Sequence, residues 1–276
     1  GGLTTGMSGL YAASDAVSSD EWRRYTNSLS SANEYPGLEV LAYGVLVPTS
    51  EVPAFQAQQR AAGNESFLVF PSAGRPEALV TLYAQPPTSA NKKLIGYDLL
   101  TDDVLADAMD RARDAAATSI SDKLRPATAI TQMAGDRFAV FSPVYRHDAS
   151  LDSAEQRRRA LLGYTFSVVR IDDFMKAVLR DTDSTVNVAL FDGTDDTDTS
   201  QIFARYADDS SGQPRFSKTD VLYVQNHAWA VTYTARDSFR LDGWQENMPS
   251  GIFIGGSIAY FLTLGLWYVQ RASRRR

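Results

Sequence analysis

Residues 96–117 read GYDLLTDDVLADAMDRARDAAA. Val104, Leu105, Ala108, Met109, Ala112 and Ala115 recur at helical spacing, so one face of a helix over Thr101–Ala117 is apolar. Thr101 suits the N-cap, and Asp102 and Asp103 suit a first turn that favours negative charge. Gly96, Tyr97 and Asp98 read as the turn that delivers the chain into this helix. A helix with one apolar face needs a surface to cover, and the neighbouring segments supply strands.

Before it, Val40–Val47 is an apolar strand closed by Pro48, Val52–Ala61 a polar-rich helix, and Ser66–Phe70 and Ala78–Ala84 two further strands. After it, Phe138–Tyr145 is a strand that Pro143 confines to an edge or cuts short, and Leu162–Arg170 is another. His147–Arg159 between them is charged and reads as a loop. Ile171–Leu179 reads as a short helix. The strands Val186–Phe191, Gln201–Tyr206, Val221–Tyr223 and Ala228–Thr234 then follow in a smaller unit with turn-rich loops at Asp192–Thr199 and Asp208–Gln213. Leu10, Val17, Trp22, Tyr25 and Leu29 fall on one face of a helix expected over residues 5–33, which ends at Tyr35-Pro36-Gly37. The fold class is α+β: a long N-terminal helix followed by two sheet-containing units. The expected division is 1–35 for the helix, 36–170 for the larger unit and 171–248 for the smaller. A membrane-spanning segment at 249–270 and a basic flank at 271–276 complete it.

The membrane segment rests on residues 251–270, GIFIGGSIAYFLTLGLWYVQ, which contain no charged side chain. As a helix they span about 30 Å, the hydrocarbon thickness of a bilayer. Trp267 and Tyr268 sit where interfacial aromatics belong, and Arg271, Arg274, Arg275 and Arg276 follow, as on a cytoplasmic side. Residues 1–250 are then expected outside the cytoplasm, in a single-pass fragment of a longer inner-membrane protein with an upstream span left out. The apolar face of the N-terminal helix is expected to pair with a second copy or to pack on its own domain.

Composition narrows the chemistry. With four of the 27 Lys and Arg in the last six residues, the other 270 carry 23 basic against 33 acidic side chains. So acidic a body excludes nucleic-acid binding by phosphate neutralisation. The chain has no Cys, which removes disulfides, thiolate metal sites and thiol nucleophiles. His147 and His227 are the only histidines; His227 has no candidate Ser or Asp partner in sequence and reads as structural, and His147, between Arg146 and Asp148, reads as a solvated loop residue. There is no GxSxG elbow, phosphate-binding loop or dinucleotide fingerprint. Asp192-Gly-Thr-Asp-Asp-Thr-Asp198 lacks the spacing and distal Glu of a calcium loop and reads as an acidic hairpin. No catalytic residue, metal site or cofactor is expected.

One ordered set of motifs remains: Tyr83-Ala-Gln-Pro86, Asn91, Gly96-Tyr97-Asp98-Leu99, the Ala-rich helix with Arg111-Ala112-Arg113, Phe141-Ser-Pro-Val-Tyr145, and Leu162-Gly-Tyr164 with Val169-Arg170. This set resembles the CHASE domain, the extracytoplasmic sensor of bacterial and plant receptors, over about residues 10–180. The resemblance implies a long N-terminal helix and two PAS-like subdomains, the membrane-distal one binding ligand and the proximal one leading to the transmembrane helices. It also implies a cytoplasmic output, a histidine kinase or diguanylate cyclase, beyond this chain.

The resemblance further implies where a ligand sits. The best known ligands are cytokinins. Where their receptors carry an Asp early in the Ala-rich helix, this chain has Leu105. Where they carry a Thr before the Pro-Val-Tyr stretch, it has Phe141. Ser121 falls at a second Thr position and Ala127 at a Leu main-chain contact. The charged anchor for an adenine is therefore missing, which points to a more apolar, smaller pocket and disfavours a cytokinin. Met109, Tyr83 and Gly163 are further pocket candidates, and Arg125 is placed to meet an anionic group. The expected function is a homodimeric sensory domain that binds a small molecule and signals through residues 251–270. The alternative is an ectodomain that senses a periplasmic protein or the envelope state without a small ligand. A partly polar cavity favours the first; a core filled by Leu105, Met109 and Phe141 favours the second.

Overall fold

Strand β1 (Leu38–Pro48) is flanked on both sides, by β2 (Glu77–Gln85) and β5 (Leu161–Arg170). β4 (Arg137–Tyr145) and the two-residue β3 (Ser119–Ile120) complete a five-stranded antiparallel sheet in the order β2-β1-β5-β4-β3. The computed structural model describes residues 2–12, 17–29, 35–71, 74–124, 135–180, 186–206 and 216–235. Arg125, Ala127 and the apolar stretch 251–270 lie outside them. Among the described residues no helix is long and apolar enough to cross a membrane.

Side chains alternate across this sheet, so each face has its own core. One face carries Val40, Ala42, Leu79, Ala139, Phe141, Tyr164, Phe166 and Val168. Onto it packs α5 (Asp103–Ala115) through Leu105, Ala108, Met109 and Ala112, the positions its periodicity singles out. The other face carries Leu41, Tyr43 and Val144, covered by α1 (Gly2–Ala12) and α2 (Ser19–Leu29). Around these run α3 (Val52–Ala61), α4 (Ser89–Lys92), α6 (Ala154–Ala160) and α7 (Ile171–Val178).

The chain separates into two units, a larger one of Leu3–Arg180 with Tyr223–Ala228, and a smaller one that takes up the rest from Asp181. The smaller is an antiparallel sheet of β6 (Val186–Asp192), β7 (Gln201–Arg205), β8 (Phe216–Val224) and β9 (His227–Ala235), ordered β7-β6-β9-β8. Ala189, Phe191 and Ala230 form its apolar centre.

Several local expectations need correction. The single helix over residues 5–33 is interrupted: Val17 and Ser18 are not helical. Ser18 starts a new helix, exchanging its hydroxyl and amide with Glu21, whose carboxylate accepts from both while its own amide donates back to Ser18 Oγ. Its expected apolar face, Leu10, Val17, Trp22, Tyr25 and Leu29, is covered by the chain's own sheet. Ser66–Phe70 forms only a bridge between Phe70 and Tyr97. The N-cap of α5 is Asp102, whose carboxylate accepts from the amides of Val104 and Leu105, while Thr101 donates to Asp98 O. The loop expected at 147–159 contains α6, set by a capping box between Ser153 and Gln156. Pro143 is accommodated because β3 pairs β4 only at Val140 and Phe141, leaving that side of Pro143 without a strand neighbour.

Candidate ligand site on the helix-covered face of the larger sheet

The site is built from the turn that precedes α5. Gly96 has φ +84°, and a Cβ there would stand 2.0 Å from Leu68 O, so the turn tolerates no side chain. Asp98 is buried, and its Oδ1 accepts from the amides of Leu79 at 2.9 Å and Leu100 at 3.1 Å. This carboxylate stitches β2 to the turn. Burial raises its pKa, outweighing those two bonds and the charge of Arg75. A raised folded pKa means that stability is fully present below the unfolded value of about 3.9 and is lost as pH rises through the folded value. Asp98→Asn keeps an acceptor at Oδ1 and removes the ionisation. It is expected to flatten this part of the stability–pH curve, read by urea midpoints between about pH 4 and 7.

Behind the turn, Leu105, Met109 and Phe141 are fully buried. Phe141 meets Tyr164 edge-on at 6.2 Å and Phe166 at 5.5 Å. The Tyr164 hydroxyl donates to Met109 O at 2.9 Å, and burial raises its pKa. The Tyr145 hydroxyl donates to Arg113 O at 2.7 Å, and burial pushes it up to about 12. Both tyrosines tie α5 to the sheet through backbone carbonyls.

The candidate residues do not all share this place. Leu105, Met109, Phe141 and Ser121 do. Tyr83 lies on the opposite face, beside Trp22 and Tyr43, donating to Val17 O at 3.0 Å. Gly163 is a close-approach position: a Cβ there would stand 2.1 Å from Gly44 O of β1. Gly163→Ala forces β1 and β5 apart and is expected to cost about 1–3 kcal/mol or more, measured by chemical denaturation. Ser121 has its hydroxyl committed, accepting from Ala139 N at 2.9 Å and donating to Asp122 O at 2.8 Å. His227 has an acidic neighbour that sequence spacing concealed, Asp122, with Nδ1 to Oδ1 at 3.5 Å.

The sequence reading missed Ser119 and Arg111. Ser119 pairs with Phe141, and the register continues through Phe166 and Ala42 to Ala84, so these five side chains form one row on the α5 side. Ser119 is fully buried, and its hydroxyl has no hydrogen-bond partner. Arg111, on α5, donates from Nη2 to Ile120 O at 2.8 Å, while its buried Nε has no acceptor. A signal for Ser119 existed: it and Ser121 alternate on the same strand face. Only the register tells which of the two hydroxyls is spare.

A family model described as the CHASE domain matches residues 15–203, more than half of the chain. The match spans all of the larger sheet and α5. The chain is thus a sensory domain of the extracytoplasmic kind. The chain belongs to the CHASE domain family. No curated protein matches it. Among solved structures, an extracellular ligand binding receptor from Desulfohalobium retbaense aligns at 10% identity with a TM-score of 0.46. That alignment covers 84% of this chain and 37% of the receptor, so the chain spans little more than a third of that protein's length.

Proposed function

We propose that the larger unit is the PAS-like, ligand-binding subdomain of a membrane receptor and recognises a small molecule between α5 and the sheet. The supporting observation is the fully buried Ser119 hydroxyl, left without a partner on the α5 side of the sheet inside the family-matched region. The smaller unit relays occupancy to residues 251–270, which cross the membrane and bias a cytoplasmic histidine kinase or diguanylate cyclase. The receptor works as a homodimer, because one span needs a second to move against. The ligand need only discriminate between two packings.

The test is a thermal-shift screen of the 276-residue chain against metabolites that include adenine derivatives. A ligand at one hundred times its Kd adds about 2.7 kcal/mol of stability. Met109→Leu conserves volume, so it is expected to cost under about 1.5 kcal/mol while weakening any ligand that touches this side chain. The measurement is the dose dependence of Tm for both proteins. Equal responses would place the ligand elsewhere.

The complete burial of Leu105, Met109 and Phe141 favours a second reading, in which the core is full and the domain senses a protein partner. β8 exposes Phe216, Val221 and Tyr223, the last 78% accessible. A screen with no stabilising compound assigns the domain to this second reading.

A further inference from the structure

The two unmet donors at the α5–β3 junction point to the chemistry of the ligand. Ser119 Oγ and Arg111 Nε are both buried and both lack a partner. Arg111 Nη2 bonds the carbonyl of Ile120, the residue after Ser119, and the Ser119 side chain lies on the sheet face that α5 covers. Leaving a buried donor unpaired is unfavourable, and more so for a charged group. Next to them the lining is apolar, with Phe141 paired to Ser119. Asp122 stands 3.8 Å from Arg111 Nη2 and is mostly exposed, so it leaves Nε unsatisfied.

We propose that Arg111 Nε–H and Ser119 Oγ–H together hold one acceptor oxygen, a carboxylate or a carbonyl, of a ligand whose apolar body lies against Phe141. This rests on the ligand-sensing reading above and adds the chemical class: a small apolar molecule with a single acceptor group, recognised without an acidic anchor.

The probes are benzoate and benzamide, which present a carboxylate and a carbonyl on the same apolar ring. The full chain, labelled with 15N-arginine, is titrated with each while the Arg111 Nε–H resonance is followed by NMR. A saturable shift is expected, and the tighter probe reports whether the acceptor is charged. Arg111→Lys, which removes Nε–H and keeps the charge, and Ser119→Ala are each expected to weaken binding about tenfold or more. Without probe, Ser119→Ala is expected to leave Tm unchanged or raise it, because it removes a hydroxyl with no partner. A drop in Tm would show that the hydroxyl is already satisfied and would overturn the proposal. So would an Arg111 resonance that neither probe moves. If metabolites stabilise the wild type, Arg111→Lys and Ser119→Ala alike, ligand sensing stands and the acceptor site falls. If neither metabolite nor probe binds, both fall.

Discussion

Replacing Arg137 with Ala is expected to lower the unfolding free energy by about 3–5 kcal/mol, the cost of breaking a buried ion pair from one side. Arg137 opens β4 and is fully buried. Its Nε meets Glu39 Oε2 at 2.5 Å and its Nη2 meets Glu39 Oε1 at 3.1 Å, a two-pronged contact onto β1. Its Nη1 donates to Gly135 O at 2.7 Å. Arg170, the last residue of β5, reaches the same carboxylate and also pairs with Asp173 of α7 at 3.0 Å. One carboxylate thus joins three strands and the helix that follows them. Burial by itself raises the Glu39 pKa, but the two guanidiniums outweigh it and hold the carboxyl below its ordinary range. The stability this contributes is present above the unfolded value of about 4.3 and is lost as pH falls through the lower folded value. Glu39 and Asp98 therefore act in opposite directions. Acid titration of Arg137→Ala, followed by circular dichroism, is expected to show a flatter response below about pH 4.3 than wild type. An unchanged unfolding free energy at neutral pH would show that the pair contributes no net stability.

The second large effect is expected from Trp22→Ala, about 3–5 kcal/mol. Trp22 is fully buried between α2 and the sheet, with Tyr83 at 6.0 Å and Tyr43 at 6.4 Å. Tyr11 of α1 stacks on Tyr43 at 3.9 Å, so both N-terminal helices enter one aromatic cluster. Polar contacts add to it: Thr165 Oγ1 donates to Thr4 O at 2.9 Å, and Thr5 and Thr118 share a hydroxyl contact at 3.1 Å. If these helices were instead a stalk reserved for a second copy, Trp22→Ala would weaken dimerisation and leave the monomer's urea midpoint where it was. Sedimentation and denaturation on the same variant separate the two outcomes.

Thr118 and Ser119 also show how much depends on register. They are adjacent, yet Thr118 turns to Ser142 and α1 at 2.7 and 3.1 Å while Ser119 turns to α5.

Some of this was legible in the residue order. The apolar stripe of Thr101–Ala117 identified α5 and the four side chains it buries, because helical periodicity depends only on local spacing. The limits of α3 were equally readable, as were β4 and β5 to within a residue. The order of motifs carried the family. The Ser18–Glu21 and Ser153–Gln156 caps were present as spacings but sat in segments whose overall pattern pointed elsewhere.

The site was less legible. Leu105, Met109 and Phe141 could be grouped because α5 must cover the sheet. Tyr83 could not be assigned a face, since the irregular pairing near Tyr43 and Gly44 resets which side chains of β2 point where. Spacing could not separate Ser119 from Ser121, because hydrogen-bond satisfaction depends on what a neighbouring strand offers.

The sequence by itself determined an acidic, Cys-free α+β sensory domain with a helix that must pack on a sheet, because composition and period are local properties of the chain. The tertiary structure alone decided three things: that the N-terminal helices cover the second sheet face, that Glu39 meets Arg137 and Arg170, and that Ser119 and Arg111 are left with donors to spare. Each brings together residues far apart in the chain, through strand register and burial, and no local pattern encodes those.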